Sequence, residues 1–221
     1  MFLKGFFKVY KLINSLVVIF LALFFTIDVI GVTPVFVFLT STSNNKFRKK
    51  MVMRGVVIAS LILFFFALSG SWVLNILGIG LAAFRIAGGI LLLLLSVDMV
   101  FAKTVSQNKA EINTEHEEAL QKHDISVFPL AIPLLSGPAT ITMLILFMKQ
   151  AQGSLIQQLI VLLALSMNMI ICWVVLTFSI SISKFLGKTG INVLNRLFGI
   201  LLTALACQFF IDGITEAFIK K

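Results

Sequence analysis

Asp28 is the only charged residue between Leu12 and Thr40, in a stretch otherwise made of apolar and uncharged polar side chains. A carboxylate so far from other charges can hold a substrate ammonium, a proton or another cation. It can also cap a helix fragment beginning near Val29, because its oxygen accepts a backbone N–H. Gly31, Thr33 and Pro34 follow within two turns. A second group of the same kind comprises Pro133, Ser136, Gly137, Pro138, Thr140 and Thr142. Proline removes a backbone donor and clashes with the preceding turn, so both groups are expected to interrupt helices. A helix that restarts inside a membrane presents unpaired N–H groups and a positive dipole end, which suits a carboxylate. The chemistry offered is binding of a small ligand. The competing reading is a pair of structural kinks that let helices cross closely.

Other polar groups at membrane depth are fewer. Asn168, with Ser166, can hydrogen-bond either a substrate or a neighbouring helix. Arg85 and Arg196 each open an Arg-x-x-Gly pattern, Arg85 to Gly88 and Arg196 to Gly199. Arg85, close to its helix end, can snorkel to the head groups. The recurrence points to a structural role in each half, such as bracing carbonyls freed by the breaks. Asp98 and Asp212 fall near the ends of their runs and read as interface anchors. Ala82, Ala83, Ala87, Gly88 and Gly89 read as a close helix-packing face. Cys172 and Cys207 lie within apolar runs and lack metal-ligand spacing. His116 and His123 flank Glu117 and Glu118, but stand seven apart instead of the four a zinc-protease helix requires. No phosphate-binding glycine loop or nucleophile elbow occurs. The chain is therefore expected to be neither an enzyme nor a metal or cofactor protein.

These groups must be positioned by elements that live in lipid. Of 221 residues, 59% are hydrophobic and 12% are charged, about half the charge of an average soluble domain. A soluble fold of this length could not hide so much apolar surface. Six runs are long and apolar enough to cross a bilayer as helices: Leu12–Thr40, Met51–Leu74, Ile79–Phe101, Val127–Phe147, Leu155–Ile182 and Ile191–Ile219. The first would reach roughly 43 Å as one straight helix, more than hydrocarbon requires. The net charge of +9 suits phospholipid head groups, because the basic residues cluster at the ends of apolar runs. Nucleic acid is not expected as a partner.

The pattern of broken helix, plain helix and Arg-x-x-Gly helix occurs twice. It divides the chain into a first repeat over residues 1–103, a polar connection over 104–124 and a second repeat over 125–221. Three spans per half place the halves in opposite orientation, an all-α inverted repeat whose first and fourth helices are discontinuous. Ten Lys and Arg fall on the side of the first, third and fifth loops, against six on the side of the termini. That bias predicts a cytoplasmic Asn44–Arg54 loop and periplasmic termini.

The segments from Asp28 through Gly31 and Pro34 to Thr40, and from Pro129 through Gly137-Pro138 to Thr142, resemble the two motifs of the MarC family of six-helix bacterial membrane proteins. Arg85-x-x-Gly88 also fits its pattern, and the resemblance covers nearly the whole chain. Two positions depart from it: Val29 stands where the family usually has proline, and Ala139 where it usually has glycine. The first break must therefore form without that proline. The resemblance implies a transporter-like inner-membrane protein, with some members linked to neutral amino acid transport and a name reflecting an antibiotic-resistance association. For this chain it implies passage of a glycine- or alanine-like zwitterion, with a coupling proton or cation. Its carboxylate would sit near Gly31 or Gly137 and its ammonium near Asp28 or freed carbonyls. The alternatives are a non-transporting assembly factor and an exporter of drugs or other small metabolites.

Overall fold

The computed structural model describes residues 2–40, 43–101 and 126–218. Every regular element among them is helical. This is the form expected of a chain in hydrocarbon, where each backbone N–H and C=O must find its partner within the segment. The elements are α1 (Phe2–Ile27), α2 (Val29–Leu39), α3 (Asn45–Ile76), α4 (Leu81–Val100), a wide-turn π-helical segment (Ser126–Leu135), α5 (Pro138–Gln150), α6 (Leu155–Thr177) and α7 (Ser179–Phe218). The polar connection with His116, Glu117, Glu118 and His123 lies outside the described residues.

Five stretches are long and apolar enough to cross a membrane: residues 10–39, 45–76, 81–100, 155–177 and 189–218. The fourth expected run is not one of these continuous helices. It is divided into the π segment and α5, because Pro133 and Pro138 cannot donate to a helical ladder. The fifth run is shorter than expected, since α6 ends at Thr177 and the chain turns at Phe178. The sixth corresponds to residues 189–218, and a helical stretch from Ser179 joins it within α7 across a kink at Gly187, whose φ of 61° suits a residue without Cβ.

The first run breaks at one residue. Asp28 has φ 47° and ψ 50°, a left-handed conformation between two right-handed helices. Asp is among the few residues that visit this region, at roughly 1–2 kcal/mol. Pro34, expected to contribute to the break, sits inside α2. The helix passes over its missing donor while Thr33 Oγ1 donates to the Val29 carbonyl at 2.8 Å.

Connectivity sorts the helix ends into two groups. The N-terminal part of α1, the α3–α4 turn, the α5–α6 turn and the end of α7 lie at one end of the bundle, the terminal end. Thr40, Phe101 and Phe178 lie at the other. The packing has a regular pattern: α4 lies along α7, α1 against α6, the π segment against α3, α2 against α7, and α5 against α4. The α4–α7 seam is close because Gly89 faces the Ala206 carbonyl and Gly213 the Ala82 carbonyl, where an added Cβ would lie 2.9 and 3.0 Å away. Of the expected small-residue face, Gly88 and Gly89 are buried, whereas Ala83 and Ala87 are exposed. Only part of that stripe is therefore a packing face.

Candidate functional site

The two breaks meet on one cavity of about 430 Å³. Asp28 and Gly31 line it from the first break, and Pro133, Gly137, Pro138 and Thr140 from the second. Leu91, Leu94 and Leu95 of α4 form an apolar wall. Few polar groups in a mostly apolar pocket of this size is the usual make-up of a small-molecule site.

Asp28 is its principal charge. Its Oδ1 accepts the Gly31 N–H at 3.1 Å, so the capping role expected for it is real. Gly31 is required by this geometry, since a Cβ there would run into the Asp28 carboxylate. Oδ2 itself has no hydrogen-bond partner and Asp28 no ion pair among the described residues. A carboxylate at membrane depth without a cationic neighbour is costly and marks a place where a cation can bind.

The second break supplies complementary chemistry. Ser136 N–H and Oγ both reach the Ala131 carbonyl, at 3.0 and 2.7 Å, closing the last π-type turn. In that register the Pro133 carbonyl would face the nitrogen of Pro138, which has no hydrogen. Gly137 then opens α5 with Pro138 in its first turn and without a side-chain cap. Unlike α2, whose start is closed by Asp28, α5 offers its first N–H groups at Ala139 and Thr140 to the cavity. The Thr140 hydroxyl has no hydrogen-bond partner among the described residues. It therefore differs from Thr33, Thr40 and Thr142, each of which donates to the carbonyl four residues earlier.

Several expected site residues do other work. Thr33, Pro34, Ser136 and Thr142 do not line the cavity. Asn168 is buried in α6 and donates to the Ala164 carbonyl at 2.9 Å and to the Phe20 carbonyl at 3.2 Å, tying α6 to α1. Arg85 pairs with Glu216 at 2.7 Å across α4 and α7, so it braces no carbonyl of either break. Arg196 is exposed and performs no such bracing either. Asp98 is exposed, and Asp212 accepts from Gln208 Nε2 at 2.8 Å on its own helix.

The bracing role falls to a residue that sequence reasoning assigned to a loop. Arg48, only 8% exposed, donates from Nε to Thr40 Oγ1 at 2.9 Å and from a terminal nitrogen to the Thr40 carbonyl at 2.7 Å. It thus holds the C-terminal end of α2, where the macrodipole is negative and cations are favoured. The signal was the Thr40-to-Arg48 spacing, which allows a basic residue of the next helix to fold back on the preceding one. It was hidden among the neighbouring lysines.

The model of the MarC family of integral membrane proteins matches residues 13–218. The chain belongs to the MarC family. Among its relatives, a UPF0056 membrane protein of Methanocaldococcus jannaschii is 39% identical over 90% of this chain and 95% of its own length. One from Archaeoglobus fulgidus is 34% identical over 91% and 92%. YhcE of Escherichia coli, also called a UPF0056 membrane protein, is 31% identical over 90% and 91%. No solved structure matches. This MarC protein is thus a multi-pass integral membrane protein, and both helix breaks fall within the matched region.

Proposed function

We propose that this MarC protein moves small neutral amino acids of the glycine or alanine type through the cavity between its two broken helices. The observation that carries the reading is the pairing of unsatisfied groups on one cavity. Asp28 Oδ2 suits an ammonium, while the uncapped start of α5 and the Thr140 hydroxyl suit a carboxylate. Of Gly31 and Gly137, Gly137 is the better supported place for the carboxylate, because Asp28 already occupies the start of α2. The apolar wall of α4 offers no partner for a polar side chain.

The packing supports an inverted repeat of three spans per half, with the π segment and α5 together forming the fourth span. Exchanging first for fourth, second for fifth and third for sixth spans turns the α1–α6 contact into that of the π segment with α3. It likewise turns α2–α7 into α5–α4 and leaves α4–α7 as itself. Discontinuous helices meeting at the repeat interface are where secondary transporters bind substrate. In this reading the repeats are residues 1–103 and 125–221, and the excess of basic residues favours termini outside a cell inner membrane. The test is flux of labelled glycine or alanine into proteoliposomes. Uptake faster than in protein-free vesicles is expected; equal rates would reduce the two breaks to packing devices.

A further inference from the structure

A second cavity, of about 370 Å³, lies at the terminal end and is lined by Lys11, Asn14, Ile19, Phe147, Gln150 and Gln157 among others. Its position repeats that of the first. Ile19 lies seven residues before Thr26, and Phe147 seven after Thr140; Thr26 and Thr140 both line the first cavity. Seven residues are about two helical turns, so one face of α1 and one of α5 line both cavities, roughly 10 Å apart. Between them Leu23, Met143 and Leu144 are fully buried, and Thr26 Oγ1 lies 3.3 Å from Met143 Sδ. The linings differ in character. The second cavity holds a cation and three side-chain amides, but no carboxylate.

We propose that this second cavity is an aqueous, anion-receiving vestibule on the terminal side. Lys11 with Asn14, Gln150 and Gln157 receives the carboxylate of a substrate there, before it passes a closed plug of Leu23, Met143 and Leu144. The proposal rests on the transport reading for its substrate, while its charge preference stands on the cavity alone. The test uses single-cysteine variants with Cys172 and Cys207 replaced, in vesicles, and small membrane-impermeant thiol reagents of opposite charge. Phe147→Cys, and exposed Gln150→Cys as a second reporter, should react from the terminal side and faster with the anionic reagent. Lys11→Gln should cut the anionic-to-cationic rate ratio about fivefold, the effect of one unit charge at roughly 8 Å in a water-like medium. Met143→Cys should be inert without substrate and react when glycine or alanine is present. No reaction at both reporters, or a rate ratio indifferent to Lys11→Gln, overturns the vestibule. If amino acid flux is measured while Met143→Cys stays inert, the path does not run through the plug and the proposal fails there. If no flux is found yet the reporters respond to Lys11, the transport reading fails and the anion-receiving vestibule stands.

Discussion

Asp28 has an observed role and a proposed one, which substitution can separate. Its left-handed backbone and Oδ1 turn the first span, while Oδ2 is the atom proposed to hold a ligand. Asparagine tolerates the same conformation and caps equally well, so Asp28→Asn should change thermal stability in detergent by no more than about 0.5 kcal/mol. Alanine removes the cap and is strained at positive φ, so Asp28→Ala should cost about 2 kcal/mol. Gly31→Ala places a methyl against the Asp28 carboxylate and should cost about 1–3 kcal/mol in the same assay. The capping role of Asp28 was legible from its residue type and its place in an apolar run. Its left-handed backbone was not, since a conformation held by its neighbours leaves little composition signal. The missing proline at position 29 did not prevent the break, because Asp28 itself supplies the turn.

At the scale of elements, α2 is a short helix held at both ends, by Asp28 and by Arg48. Replacing Arg48 with methionine keeps much of its apolar stem but loses two charge-assisted hydrogen bonds. It should lower stability by about 2–4 kcal/mol, measured as unfolding in detergent, whereas a surface charge would have little effect. Asn168→Leu breaks the α6–α1 tie and should cost about 1 kcal/mol, the range found for interhelical hydrogen bonds in membranes. The apolar runs anticipated an all-helical chain with five membrane-length stretches, and the prolines of the second group marked the interruption between the π segment and α5. Helix ends and the role of Pro34 were less legible. Proline at position 34 lies inside α2 without ending it, and hydropathy does not register how a helix tolerates a missing donor. Arg85 was misread for a related reason: its partner, Glu216, lies 131 residues away, beyond the reach of any local pattern.

Across the whole molecule, the recurrence of an interrupted helix pointed to the two breaks as one candidate site, and residues of both line one cavity. It gathered Asp28, Gly31, Pro133, Gly137, Pro138 and Thr140 around one cavity, but could not separate them from Thr33, Ser136 and Thr142. That distinction depends on where each hydroxyl points, and a threonine in a helix can turn back to its own backbone. The charge pattern adds a prediction about sidedness. A cysteine at Asn45 should be labelled only from the cytoplasm, and tags at both termini should be reached only from outside. The central claim is that the unpaired carboxylate of Asp28 and the open start of α5 receive the two charges of one small amino acid. Equilibrium binding of labelled glycine or alanine to purified wild-type and Asp28→Asn protein tests it most directly, with matched thermal stability as the control. Binding weakened tenfold or more in Asp28→Asn is expected, corresponding to about 1.4 kcal/mol or more; equal affinity in the two proteins would remove Asp28 from the proposed site.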